Sequence, residues 1–242
     1  MSRPVAVVTG TSSGIGAAIT ESLLANGWAV CGISRRSVTP ESPHYTHYKV
    51  DLTDTKQIEL AVASILERYS SSSETLNYKI RALINNAGVG HFAPHEELSV
   101  AQIEELTKVN LTAPLILSKL LARSLKDSRG SVINISSFSA HENSSFGAAY
   151  AATKAGLRHF GNSLFEECRK SGLKVVTISP DITRTPFYDS LSFAPDDDEN
   201  AAITPQCVAQ VVMDVLTQRA GTVTTEVVLR PQRILLKKGL RK

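Results

Sequence analysis

Cysteine is scarce: Cys31, Cys168 and Cys207 are the only three in 242 residues. An odd, sparse set without metal-ligand spacing argues against a disulfide framework and against a metal centre. Cys31 sits in an apolar run and reads as core. No apolar stretch is long enough to span a bilayer. The chain enters an apolar run almost at its first residue, which leaves no room for a signal peptide. These absences predict a soluble, cytoplasmic protein with no membrane role. A strong charge excess is missing too. The formal net charge of +3, without a basic stripe, argues against nucleic acid as a partner. The one basic cluster, Lys237-Lys238 through Arg241-Lys242, is terminal and reads as a solvated tail.

What is present is a chain of ordinary globular make-up, 42% hydrophobic and 20% charged, long enough for one substantial core. Short apolar runs at 4–8, 28–34, 45–50, 80–85, 131–136, 174–179 and 224–230 predict strands. Helical patterns fall between them at 14–26, 54–69, 97–109, 112–126, 149–170 and 204–218. Most of the runs are continuous rather than alternating, as strands buried on both faces of a parallel sheet require. The rhythm predicts an α/β fold: a single domain over 1–242, with a doubly wound, Rossmann-like parallel sheet of about seven strands. Two segments interrupt it. Ser70-Ser71-Ser72-Ser73 is low-complexity and predicts a surface connection. Residues 181–203 carry Pro186, Pro195 and the acidic run Asp196 to Glu199. This long irregular segment is the expected lid, and its acidic run reads as a solvated turn.

The richest stretch is Thr9-Gly10-Thr11-Ser12-Ser13-Gly14-Ile15-Gly16, which follows the strand pattern Val5 to Val8 and precedes the helical pattern Ala17 to Ala25. Strand, glycine turn and helix form the context that makes a glycine spacing a dinucleotide site. The glycines let backbone approach a pyrophosphate, and the helix N-terminus presents unpaired N–H groups.

Tyr150 and Lys154 stand four residues apart in a helical pattern and so share a face. A free tyrosine, with a pKa near ~10, is a poor base. A neighbouring ammonium favours the phenolate, which makes the pair a candidate for proton exchange with a carbonyl or alcohol oxygen. An isolated match would more simply be an exposed Tyr/Lys pair. Ser137 precedes Tyr150 by thirteen residues and follows a strand, so its hydroxyl lies where open α/β sheets bind ligands. Ser136 and Ser139 compete for that place. Asn85-Asn86-Ala87-Gly88 ends another strand, either as a plain turn or as a close pass beside a ligand. Pro114 has no N–H to bond the Asn110 carbonyl, which predicts either a break that frees this carbonyl for a water or a simple helix boundary.

With these motifs in order, the chain resembles a short-chain dehydrogenase/reductase of the compact single-domain type, from Val5 to at least Thr185. The resemblance implies a catalytic set of Asn110, Ser137, Tyr150 and Lys154. Tyr150 would be the general acid and base, and Ser137 would orient the substrate oxygen. Lys154 would hold the nicotinamide ribose and lower the Tyr150 pKa, while Asn110 would anchor a relay water. It implies cofactor contacts from Gly10, Ser12, Ser13, Gly14, Ile15 and Gly16, from Asp51 and Leu52 at the adenine, and from Asn86, Ala87 and Gly88 beside the adenosine ribose. Tyr150, Lys154, Pro180, Ile182 and Thr185 would meet the nicotinamide end. Three positions depart from the family pattern. Asp181 replaces the usual glycine after Pro180 and raises the question of a positive φ. Arg81 stands where an acid is common, and the serine-rich connection is longer than usual.

An acid about 20 residues past the glycine motif would bind the ribose 2′-hydroxyl of NAD, whereas arginine accommodates a 2′-phosphate. Here the second strand ends Ser34-Arg35-Arg36, with no Asp or Glu. This predicts NADP(H), with Ser34, Arg35 and Arg36 among its contacts. The expected activity is an NADP-dependent alcohol dehydrogenase or carbonyl reductase. The alternatives are an NAD-preferring dehydrogenase, a non-catalytic nucleotide-sensing or scaffold protein, and an epimerase or dehydratase using the same tyrosine. The substrate wall is expected from His91 and Phe92, from 139–146 and from 186–203. Phe187, Tyr188, Leu191 and Phe193 form either an apolar lid or ordinary core. His91 and His141 read either as contacts to a polar substrate or, more simply, as loop histidines without a role. The resemblance also implies a homodimer or homotetramer through 112–126 and 149–170. There Ala151, Ala152, Ala155 and Gly156 would admit a close helix, either a partner's or the chain's own sheet.

Overall fold

The computed structural model describes residues 3–37, 40, 42–69 and 78–238. The serine run Ser70–Ser73 and the end of the basic tail lie outside them. The elements, in chain order, are β1 (Arg3–Thr9), α1 (Gly14–Ala25), β2 (Ala29–Ser34), β3 (Tyr45–Lys49), α2 (Thr55–Arg68), β4 (Tyr78–Asn85), α3 (Val100–Thr107), α4 (Ala113–Asp127), β5 (Ser131–Ile135), α5 (Ala148–Cys168), β6 (Lys174–Pro180), β7 (Phe193–Pro195), α6 (Pro205–Thr217), β8 (Glu226–Leu229) and β9 (Leu236–Lys238). Seven strands form one sheet in the order β3-β2-β1-β4-β5-β6-β8, and every pairing is parallel.

The continuous apolar runs are explained by two cores, one on each face. Val5 and Val7 of β1 pack with Ile58, Val62 and Ile65 of α2 and Leu117, Leu121 and Leu125 of α4. Ala6 and Val8, pointing the other way, pack with Ile19 and Leu23 of α1 and Val208, Val212 and Val215 of α6. Each central strand therefore needs apolar side chains at successive positions. The strand order reverses between β1 and β4, and a crevice opens outside the carboxyl ends of these strands.

Two local outcomes refine the expected elements. First, α3 and α4 are not separate helices: a π-helical turn over Lys108–Thr112 joins them, centred on Asn110. The missing N–H of Pro114 shows as a widened turn rather than as a break. Second, the start of the basic tail is not free in solvent. β9 pairs antiparallel with β7, which places Lys237 and Lys238 in a small second sheet. Lys237 pairs with Asp197, Arg233 with Asp198 at 3.1 Å, and the Asp196 N–H donates to the Leu235 carbonyl at 3.2 Å. The acidic run, solvated as expected at Asp197 and Glu199, thus also fastens the C-terminal segment.

Candidate functional site

The site is built at the carboxyl ends of β1, β2, β4, β5 and β6. After β1 the chain turns through Gly10 at φ +73° and Gly14 at φ +56°, backbone angles that disfavour other residues. Side chains cap α2, α3 and α6 through Asp54, Ser99 and Thr204, but none caps α1. The first N–H groups of α1 are left for an anion. Thr9 Oγ1 accepts from the Asn86 and Ala87 N–H groups at 3.0 and 2.9 Å, and Asn86 Nδ2 donates to the Thr9 carbonyl at 2.9 Å. The strand end at Asn85–Gly88 is therefore clamped beside the glycine loop and is more than a plain turn.

At the other end of the cleft, β5 delivers Ser137 and the first turns of α5 deliver Tyr150 and Lys154. Tyr150 and Ser137 line the same cleft. Ser137 Oγ also accepts from the Ser139 N–H at 3.2 Å. Ser136 turns away and donates to the Lys154 carbonyl at 2.9 Å, which removes it as a competitor. Lys154 Nζ donates to the Ile135 carbonyl at 3.0 Å and lies 5.8 Å from the Tyr150 ring centroid. A Cβ on Gly88 would sit 3.3 Å from that ammonium, so glycine leaves the space the lysine head uses. Asn110 is fully buried. Its side chain accepts from the Val89 N–H and donates to the Val89 carbonyl, both at 2.9 Å, and donates to Thr153 Oγ1 at 3.2 Å.

Burial shifts the pKa of both the Tyr150 and the Lys154 side chain. Desolvation pushes the Tyr150 phenol up to about 12, opposed only in part by the Ser137 hydrogen bond. It pushes the Lys154 ammonium down to about 8. Both shifts have the same leading cause, the withdrawal of the two groups from water. A consequence is testable. Above its ordinary value of 10.5, Lys154 is neutral in both folded and unfolded chains. As pH falls toward about 8 the unfolded chain takes up the proton first, and stability is lost. The full penalty below that window is on the order of 3 kcal/mol. Melting temperatures of wild type and Lys154→Met across pH 7 to 11 should therefore diverge in favour of wild type as pH rises. Parallel curves would refute this desolvation account.

Near the end of β2, Ser34 Oγ donates to the Arg36 carbonyl at 2.8 Å and lies 3.1 Å from His47 Nε2 on β3. Arg36 reaches Ser13 Oγ at 3.5 Å, and Arg35, with 63% of its side chain exposed, has Glu105 at 4.0 Å. Asp51 accepts from the Thr53 N–H and hydroxyl, chiefly through the backbone bond, and its carboxyl is held below the usual range. Asp181 keeps a negative φ, so the missing glycine causes no strain. Its carboxylate accepts from the Ile182 N–H at 2.9 Å and from Arg230 Nε at 3.2 Å.

The surfaces enclose one cleft of about 1250 Å³. Every residue named above as a cofactor contact, from Gly10 to Thr185, lines it, as do Ser137 and Asp181. Asn110 lies behind the wall. Thr185 packs against Gly14, where a Cβ would come within 3.1 Å of its methyl group. The expected substrate wall needs correction in four places. Leu191 is buried and does not line the cleft. His141 lies 3.4 Å from Glu226, which Arg158 also binds, so it is turned away from the cleft. His91 is no idle loop residue: it bonds Glu105 at 2.9 Å. Leu236 of β9 joins the lining, and no pattern in the sequence marks it. Sequence reading also missed Glu105, His47 and Thr153. Only Glu105 carried a signal, as an acid on the α3 pattern that precedes Asn110. Among the described residues no cluster of His, Cys, Asp or Glu could hold a metal, and no helix is long and apolar enough to cross a membrane.

The profile of the short chain dehydrogenase family matches residues 4–195. An uncharacterized oxidoreductase of Staphylococcus epidermidis is 31% identical over 234 residues, covering 94% of this chain and 96% of that protein. Two solved structures share the whole architecture. A metagenomic short-chain oxidoreductase in complex with NADP has 29% identity and a TM-score of 0.77, covering 95% of this chain and 97% of that one. A short-chain oxidoreductase from Brucella ovis, with a partially ordered NAD, has 26% identity and a TM-score of 0.74, covering 95% and 100%. The chain belongs to the short-chain dehydrogenase/reductase family of oxidoreductases.

Proposed function

We propose that the protein interconverts a carbonyl compound and a primary or secondary alcohol with NADP(H), using Tyr150 as general acid and base. One observation carries the reading: Tyr150, buried, and Ser137 form a pair that shares a cleft with an uncapped helix N-terminus behind a glycine turn. A scaffold protein has no physical need for that pair. The cleft volume exceeds the usual ligand range of ~300–1,000 Å³, as a dinucleotide plus a substrate requires. The residues fit the cofactor. The Gly10–Gly16 loop would cradle the pyrophosphate, Asp51 and Leu52 would meet the adenine, and Asn86 to Gly88 would border the adenosine ribose. Lys154 and Tyr150 would bind the nicotinamide ribose, with Pro180, Ile182 and Thr185 at the ring. A nicotinamide held there would supply the hydride chemistry at the substrate carbon.

The residues then divide the proton work. Tyr150, a neutral phenol at pH 7, donates its proton to the substrate oxygen as the carbonyl is reduced. Ser137 hydrogen-bonds the same oxygen and stabilises the charge developing there. Asn110 acts as a positioning residue, tying the π turn to Val89 and to Thr153 of α5. Support for NADP comes from the neutral Ser34 and the exposed Arg35 and Arg36, which offer cationic donors and no carboxylate to a 2′-phosphate. Steady-state assays should give a kcat/KM with NADPH about tenfold or more above that with NADH, since charged hydrogen bonds are worth ~1.5–3 kcal/mol. A preference for NADH would overturn the cofactor assignment. The three unpaired cysteines suit a reducing cytoplasm. Exposed Ala152 and Ala155 on α5 and Leu115 on α4 leave these helices free to meet a second copy, as a homodimer or homotetramer. Gly156 is spent within the chain, against Leu111.

A further inference from the structure

We propose that the substrate end of the cleft selects an uncharged carbonyl compound carrying an aromatic or branched apolar group, with the C-terminal strand β9 supplying the outer wall. This rests on the hydride-transfer reading and narrows its substrate class. From the reacting tyrosine outward the wall is aromatic. Phe92 lies 5.1 Å from the Tyr150 ring and meets Phe193 edge-on at 5.2 Å. Phe187 lies 6.0 Å from Tyr150, so rings flank the phenol from both the loop after β4 and the lid.

The mouth sets apolar side chains among the hydroxyls of Ser144, Ser145, Ser190 and Ser192. Phe146 is 64% exposed and is held at φ +60°, a strained angle for a bulky residue, while its carbonyl accepts from the Ala93 N–H at 2.8 Å. Nothing in the packing of an exposed ring repays that strain, which points to a ligand as its use. Opposite in sequence but on the same cleft stands Leu236, 52% exposed. It is held there by the β7–β9 pairing and by the Asp197–Lys237 and Asp198–Arg233 ion pairs.

Charge excludes the other substrate classes. Among the described residues lining the cleft, the cations are Arg35 and Arg36 at the end of β2, Lys154, and His91. Lys154 is turned to the Ile135 carbonyl and His91 is bonded to Glu105. The carboxylates Asp51, Glu97, Glu105 and Asp181 line the same cleft. Asp181 is answered by Arg230, whose guanidinium stacks 3.9 Å from the Phe138 ring and does not line the cleft. A phosphorylated or carboxylated substrate would lose water and find the basic groups near the reacting phenol already engaged, Lys154 by the Ile135 carbonyl and His91 by Glu105. A neutral ring meets aromatic faces instead.

The test compares acetophenone, para-acetylbenzoate and dihydroxyacetone, by NADPH consumption and by calorimetric binding with and without NADP⁺. Acetophenone should exceed each of the other two by about tenfold or more in both kcat/KM and affinity, the scale at which a mismatched polar group is rejected. Leu236→Lys, at an exposed position that tolerates the change, should shift the acetophenone to acetylbenzoate ratio toward the anion by about fivefold or more. Equal or better binding of the carboxylate or of the triose, or no binding of acetophenone, overturns the proposal. An unchanged ratio in Leu236→Lys overturns the part played by β9. If acetophenone binds preferentially but no carbonyl is reduced with either nicotinamide, the hydride-transfer reading fails while the ligand class stands.

Discussion

Tyr150→Phe is expected to lower kcat by about a thousandfold or more, within the ~10²–10⁴ range that positioned acid–base groups contribute. Fold and cofactor affinity should change little. The reason lies in what the substitution keeps. The ring of Tyr150 packs between Phe92 and Phe187, and a phenylalanine preserves both contacts. Only the hydroxyl beside Ser137 is lost. Its partner is not orphaned, because Ser137 Oγ still accepts from the Ser139 N–H. The melting temperature should therefore stay within a few degrees of wild type, and NADPH titrated by fluorescence should bind within about threefold, less than ~1 kcal/mol. A variant that turns over within tenfold of wild type on a verified substrate would remove Tyr150 from the chemistry. The direction of reaction enters the same argument. A phenol pushed up to about 12 by burial is an acid at neutral pH and a base only when proton loss is assisted. Carbonyl reduction consumes the proton that the phenol gives up, so alcohol oxidation should gain as pH rises.

What was legible in the sequence and what was not divides along the range of the interactions. The glycine loop, Tyr150 with Lys154, and Ser137 after its strand are local patterns. Their spacing carries the geometry, and the structure brings them to one cleft. The two-faced core was legible for the same reason, since Val5 to Val8 can be continuous only if both sides are covered. The π turn was half legible: Pro114 announces a missing bond, but nothing local says that the helix will widen and continue. The fastening of β9 was not legible. A three-residue strand has no period to detect, and its partners Asp197 and Lys237 are separated by 40 residues. Taken singly, each charge looks like an ordinary solvated group. The same holds for Glu105, which meets both Arg35 and His91 only after α3 has docked.

Gly16→Ala separates local propensity from tertiary fit, and tertiary fit should win decisively. Gly16 lies in the first turn of α1, where alanine would be favoured over glycine by up to ~1 kcal/mol on helix propensity alone. A Cβ at this position would overlap the Gly10 carbonyl oxygen and stand 2.5 Å from Asn86 Nδ2. Neither neighbour is free to retreat. The Gly10 N–H is bonded to the Ile33 carbonyl at 2.8 Å, and Asn86 Nδ2 to the Thr9 carbonyl at 2.9 Å. The helix must therefore move away from the loop, at a cost of about 1–3 kcal/mol for overpacking. That movement also displaces the uncapped N–H groups from the place where a pyrophosphate would sit. Affinity for NADPH should fall by about a hundredfold, the scale expected for misplacing a site by ~1 Å. Gly27→Ala is the control. Its φ of +78° makes alanine strained, yet no atom lies within 4 Å of the added methyl. It should cost on the order of 1 kcal/mol of stability and leave NADPH affinity unchanged. Chemical denaturation and NADPH titration of the two variants decide the matter. A Gly16→Ala protein as stable as wild type, or one that binds NADPH normally, would show that the glycine turn is not the phosphate cradle. The close approach of α1 to Gly10 would then need another explanation.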